Sequence, residues 1–184
     1  AFNFLFYNNV LGLSGTLCGL AVTIALVFDA LSDPLVGSIS DRWRSKLGRR
    51  HPFLYAAPIP MALCFFAIYS PPEGLGSIQL FAWFTTFTIL LRTAQTFYQV
   101  PHLALGAEMT ADYRERSVLM SFNTIFGLVG NFAVTFSAWS YLGTIEGGQN
   151  NKDGYVTIAA AVGVLTIFVI LFSAYFTRDQ IPKL

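Results

Sequence analysis

The chain has 184 residues, of which 54% are hydrophobic and only 11% charged, against about 25% charged in an average soluble domain. Eighteen Phe and eight Tyr add apolar area that so few charges cannot solvate, which excludes a soluble globule and indicates an integral membrane protein. The formal net charge of +1 says nothing about nucleic acid, and Cys18 and Cys64 sit in apolar runs without metal-ligand or disulfide spacing.

In chain order, residues 1–11 read as the outer end of a helix truncated at its start. Apolar runs then predict helices over 14–40, 52–71, 78–105, 117–142 and 155–177, each near the ~20 residues a membrane span requires. Uniformly apolar runs exclude barrel strands, which alternate. The expected fold is therefore an all-α membrane bundle of six helices, 1–184 forming one unit. With no initiator Met and no signal-peptide pattern, the expectation is a fragment cut at both ends. The connections at 71–77 and 143–154 carry turn residues, as in "SPPEGLGS" and "GTIEGGQNNKDG".

Charge placement predicts orientation. Arg42, Arg44, Lys46, Arg49 and Arg50 in 41–51, Arg114 and Arg116 in 106–116, and Arg178 and Lys183 in the tail share one side if the helices alternate. Those are nine of the eleven basic residues, against Lys152 alone on the other side, so the basic side is expected to be cytoplasmic.

Several polar residues interrupt the apolar runs. Asp29 and Asp33, at i and i+4 in "FDALSDPLVG", share one helix face. At ~1.5 Å per residue they lie about 16 Å and 10 Å from the inner end near Ser40. Pro34 predicts a bend beside them. Intramembrane carboxylates are rare and face a cavity or a partner; two on one face suit a hard cation or a proton. Arg92 in "TILLRTAQTFYQVPH" is the internal counter-charge, pairing with Asp29 or holding a substrate carboxylate. Thr96 and Gln99 follow on the same helix, with Tyr98 and Pro101 completing "TFYQVP". Asn123 and Asn131 read as hydrogen-bonding links between helices, and Gly15/Gly19 and Gly127/Gly130 as small-residue packing faces. His51 and His102 have no metal-ligand or nucleophile companions, so an enzyme is not expected.

The loop "DPLVGSISDRWRSKLGRRHPF" spaces Asp33, Gly37, Asp41 and Arg42 ahead of Gly48, Arg49 and Arg50. This resembles the signature of the glycoside–pentoside–hexuronide:cation symporters, the family of melibiose permease, within the major facilitator superfamily. "FDALSDP", "TFYQVPHLALGAEMT" and "DYRERSVLMSFN" match further family segments in order, and the likeness covers nearly the whole chain. The resemblance implies a six-helix N-terminal bundle whose C-terminal bundle lies outside this sequence. It implies cation-coupled (Na+ or H+) symport of a sugar, glycoside or uronide across the inner or plasma membrane, with no other cofactor. A lysolipid or other amphiphile is the alternative cargo, from a related branch of the superfamily. Asp29, Asp33 and Thr96 would hold the cation, and Gln99, Arg92 and Tyr98 would face the substrate. Gln99 stands where melibiose permease has a sugar-binding aspartate, and Arg92 lies outside that permease's pattern.

Overall fold

The computed structural model describes residues 2–110 and 112–178. Helix α1 (Phe2–Leu5) runs into a π-helical turn (Phe6–Val10). Then come α2 (Gly15–Arg42), α3 (His51–Ala56), α4 (Pro58–Tyr69), α5 (Ser77–Glu108), α6 (Tyr113–Thr144) and α7 (Lys152–Phe176). No strand occurs among the described residues. Lys183, assigned above to the basic side, lies outside them.

Local chemistry starts the helices. The Ser14 hydroxyl accepts the Leu17 N–H at 3.3 Å, the Asp112 carboxylate accepts the Arg114 N–H at 2.7 Å, and the Asn151 side chain accepts the Gly154 N–H at 3.1 Å. Each satisfies a donor that a helix start leaves free. The span expected over 52–71 is present as His51–Tyr69, broken at Ala57 into two helices. Pro58 and Pro60 lack N–H groups, so the backbone ladder loses two donors within three residues and α3 gives way to α4 at Ala57. Pro34 and Pro101, by contrast, sit inside α2 and α5 without ending them.

Four stretches are long and apolar enough to cross a membrane: Gly15–Arg42, His51–Tyr69, Tyr113–Thr144 and Lys152–Phe176. Helix α5 is as long as α6 but more polar through its middle, where Arg92, Gln95 and Gln99 fall. Helix α2 lies along α5, and α4 packs against both α5 and α7. The core gathers Phe6, Tyr7, Cys18, Ala21, Phe84, Leu91 and Tyr155. Tyr7 stacks on Phe84 with centroids 4.1 Å apart and donates its hydroxyl proton to the Ile68 carbonyl at 2.7 Å. The most apolar window of α6 buries no residue against the rest of the described chain.

Of the expected packing glycines, only Gly15 meets a neighbour, a Cβ there lying 3.5 Å from the Phe4 ring. A Cβ on Gly19, Gly127 or Gly130 meets nothing within 4 Å. Close approach occurs instead at Gly163, where a Cβ would sit 3.5 Å from the Ala62 Cβ and 3.6 Å from its carbonyl oxygen. This places α7 directly on α4. Gly163→Ala is expected to be tolerated, because that spacing is ordinary contact. Gly163→Leu forces the helices apart and should destabilise the detergent-solubilised protein by about 1–3 kcal/mol, read as a lower melting temperature.

Candidate functional site

The site forms where α2 lies against α5. Asp29 and Asp33 are one turn apart on α2; Arg92 and Thr96 are one turn apart on α5. A guanidinium N–H of Arg92 donates to Asp29 Oδ2, and the Thr96 hydroxyl donates to Asp33 Oδ1 at 2.9 Å. Both contacts join residues 63 apart in sequence. The two helices therefore run parallel here, with their polar rows in register turn by turn. Thr96 Oγ1 also lies 3.2 Å from the Arg92 carbonyl, a second acceptor for the same proton.

These groups line a cavity of about 250 Å³ with Gln95, Gln99, Val100 and Leu103. The Arg92 and Asp29 side chains are 32% and 22% exposed, while Thr96 is buried and Asp33, Gln95 and Gln99 are exposed on the open side of the groove. The charged pair thus sits in the wall, with the second carboxylate and the amides facing outward. At about 100° per residue, positions 92, 95, 96, 99 and 103 occupy one stripe of α5.

The structure brings Asp29, Asp33, Arg92, Thr96 and Gln99 together as the sequence suggested, but not Tyr98. Tyr98 lies one residue off the stripe and packs against the cluster of Leu54, Leu105 and Ala174 on the other side of α5. There its ring stacks on His102, with centroids 5.1 Å apart. Tyr98 is therefore not among the residues lining this cavity. Gln95 takes a place in the cavity that the sequence reading did not give it; its i+3 spacing from Arg92 was the available signal.

About 18 Å further along α5, at 1.5 Å per residue, a second charged group ties the helix ends together. Arg50, buried at the start of α3, donates to Ser40 Oγ at 2.8 Å, to Asp41 Oδ1 at 2.7 Å and to Glu108 Oε1 at 2.9 Å. Arg49 lies 3.5 Å from the same Glu108 oxygen. One guanidinium so clasps the ends of α2 and α5 to the start of α3. Burial works against the Arg50 charge, yet the hydrogen bonds and charges of Glu108 and Asp41 outweigh it and hold its pKa above the ordinary arginine value. Glu108 was not singled out in the sequence; an acid ending a helix opposite a basic loop was the clue.

The other motif residues have separate tasks. Gly48 adopts φ +76°, where a side chain is strained, and its N–H closes a turn onto the Ser45 carbonyl at 3.0 Å. A Cβ on Gly37 would touch Val100 at 3.9 Å, so small size here lets α2 lie near α5. Arg42, in the last turn of α2, is exposed, where a cation suits the carbonyl end of the helix.

A membrane bundle with an ionised cavity between parallel helices, clasped by charges at one helix end, has the features of a transport protein. The family model described as "MFS/sugar transport protein" matches residues 2–183, and the chain belongs to that family, whose members are integral, multi-pass membrane proteins. It is 32% identical to YagG of Escherichia coli, named as a candidate glycoside/cation symporter, over 95% of this chain and 37% of that protein. A symporter of Synechocystis is 30% identical over 95% of this chain and 33% of its own length. The sodium-dependent lysophosphatidylcholine symporter 1-A of Danio rerio is 32% identical over 60% of this chain and 21% of its own. The chain thus spans about a third of the length of the first two relatives.

Removing the Arg50 guanidinium leaves two carboxylates facing each other without their shared cation. Arg50→Met is expected to destabilise the protein by about 2 kcal/mol, at the low end for a broken buried pair because Asp41 is well exposed. Thermal unfolding in detergent would show it, with Arg50→Lys falling between the two.

Proposed function

We propose that the full-length protein is a cation-coupled symporter of a sugar or glycoside and that this chain supplies the first helical bundle, its basic side facing the cytoplasm. The observation that carries the reading is the pairing of Arg92 with Asp29 while Asp33, one turn away, keeps only the Thr96 hydroxyl as a close partner among the described residues. Asp33 is then the carboxylate free to bind a coupling ion.

The chemistry of the lining supports this reading. Carboxylate, hydroxyl and amide oxygens are hard ligands and suit Na+; a proton on Asp33 is the other coupling ion the site admits. The Thr96 hydroxyl has one proton and two acceptors within reach, the Asp33 carboxylate and the Arg92 carbonyl. Turning that proton toward the Arg92 carbonyl presents a hydroxyl lone pair to a cation at Asp33. Gln95 and Gln99 project amide donors and acceptors into the same cavity, matching the alternating donors and acceptors of sugar hydroxyls. The coverage of the relatives supports a second bundle that would complete the cavity wall on its open side.

A lysolipid cargo is the second reading. A groove of about 480 Å³ between α6 and α7, lined by apolar residues such as Val134, Ala138, Ile158 and Leu165, favours it. Its test is competition by lysophospholipids in the uptake assay described next.

In the full-length protein, Asp33→Asn should abolish stimulation of glycoside uptake by the coupling cation, measured with and without Na+ and across a pH gradient. Uptake that keeps its cation dependence in this variant removes Asp33 from the role. Thr96→Val should weaken the apparent cation affinity by about tenfold, the loss of one hydrogen-bonding or coordinating oxygen at a charged group.

A further inference from the structure

We propose that the protein carries a site for an anionic glycerophospholipid on its basic side. One acyl chain lies in the groove where α3 and α4 meet α5, and the headgroup phosphate lies among Arg42, Arg44 and Lys46. The site is separate from the cavity between α2 and α5 and does not depend on what that cavity transports.

The groove has a volume of about 250 Å³. It opens at the break between α3 and α4, where small side chains, Ala56, Ala57 and Pro60, line it. Ala57 and Ala94 are buried and form its floor; Phe53, Leu90 and Phe97 form its walls. Thr93 is the one polar side chain in the lining, and its hydroxyl donates to the Ile89 carbonyl at 2.9 Å. The groove therefore asks for no hydrogen bond and suits a ligand held by close apolar contact alone. Positions 90, 93, 94 and 97 lie roughly 140° around α5 from the stripe of Arg92, Thr96, Gln99 and Leu103. A second bundle that closes the polar cavity thus leaves this groove open to lipid.

An aromatic ladder joins the groove to the basic loop. Phe97 and Phe53 stack with centroids 6.1 Å apart, and Trp43 meets Phe53 edge-on at 5.7 Å. Trp43 lies between Arg42 and Arg44, and Leu47 follows Lys46; both apolar side chains are 48% exposed. Tryptophan beside basic residues is the composition of a segment at headgroup depth. Arg42, Arg44 and Lys46 are exposed, and none has a carboxylate partner among the described residues. The ion pairs of the loop fall to Arg49 and Arg50, and Arg50 takes Asp41, the one acid there. Three unpaired cations at the end of an apolar groove complement a phosphate carried on a hydrocarbon chain. The groove along α7, from Val164 to Tyr175, offers less: it ends at one described cation, Arg178, whose guanidinium lies 4.1 Å from the centroid of the Tyr175 ring.

Phosphatidylglycerol with a photoreactive acyl chain, added to the purified full-length protein in detergent, tests the site. Mass spectrometry is expected to find the label on the peptides containing Phe53–Pro60 and Leu90–Phe97. Unlabelled phosphatidylglycerol should compete at about 100-fold lower concentration than phosphatidylcholine, since each cation near the headgroup contributes about 1 kcal/mol. Arg42→Gln/Arg44→Gln/Lys46→Gln should remove that preference, and Arg42→Lys/Arg44→Lys should keep it. Ala56→Phe, at the exposed rim, fills the groove and should abolish labelling of both peptides. Should that variant not fold, Leu90→Ala removes a wall instead and should lower the labelling several-fold. Equal competition by the two lipids, which is the behaviour of an unselective annular lipid, overturns the proposal. So does competition by glycerol 3-phosphate as strong as that by the whole lipid, since the groove is then idle. Label confined to other peptides, or undiminished in the folded groove variant, overturns it as well.

Discussion

An ionised carboxylate inside a membrane must find a cation, a set of hydrogen bonds or a proton, and α2 carries two of them in adjacent turns. The pairing of Asp29 with Arg92 answers for one and, by doing so, fixes much else. It sets the axial register of α2 on α5, since a slip of one turn would bring Arg92 to Asp33 and strand Asp29 beside Thr88. It makes α5 the polar helix of the bundle, because a guanidinium on its face is tolerable only beside that acid. It also leaves Asp33 with the Thr96 hydroxyl as its one hydrogen-bond partner among the described residues.

The register is held from two places. Near the middle of both helices the Asp29–Arg92 and Asp33–Thr96 contacts align them; at one end the Arg50 clasp fastens Ser40, Asp41 and Glu108. Between these points the contact is made of small and apolar groups, with Gly37 beside Val100. Such an interface resists sliding more than it resists tilting, because polar pins sit at its ends and no hydrogen-bonded network fills the span between. Rigid-body rocking of bundles around a midplane site, the usual motion of this kind of transporter, preserves a register of this sort.

Much of this was legible in the sequence, and the limits have physical causes. Helix spans follow from runs of apolar residues, so their ends came within a few residues everywhere except Ala57, where Pro58 and Pro60 act together and the apolar run shows no break. The two acids, Arg92 and Thr96 announce themselves because charge and hydroxyl stand out against hydrocarbon. Tyr98 lies off the cavity stripe although it adjoins Gln99 in sequence, because one residue turns a side chain by about 100° around the helix. Gln95 and Glu108 were passed over for a related reason. Their significance depends on what another helix places opposite them, a cavity in one case and Arg50 in the other, and no single-helix pattern encodes that. The small-residue pairs say which face is narrow and not which neighbour fills it: Gly15 meets Phe4, Gly127 and Gly130 meet nothing in the described chain, and Gly163, outside any such pair, receives Ala62.

The departures from the melibiose permease pattern all lie on α5 and all change charge in the same direction. Where that pattern has an aspartate, this chain has the neutral Gln99; Arg92, outside the pattern, adds a positive charge two turns earlier. Each change makes the cavity one unit less negative. The two acids of α2 are retained, so the difference cannot be read as loss of the ion site. Arg92 gives Asp29 a covalently attached counter-charge inside the cavity. On the proposed reading, a substrate would meet the amides of Gln95 and Gln99 on this wall of the cavity. On the same reading, this bundle's share of solute selectivity rests on the hydrogen-bond geometry of Gln95 and Gln99, and its share of cation binding on Asp33.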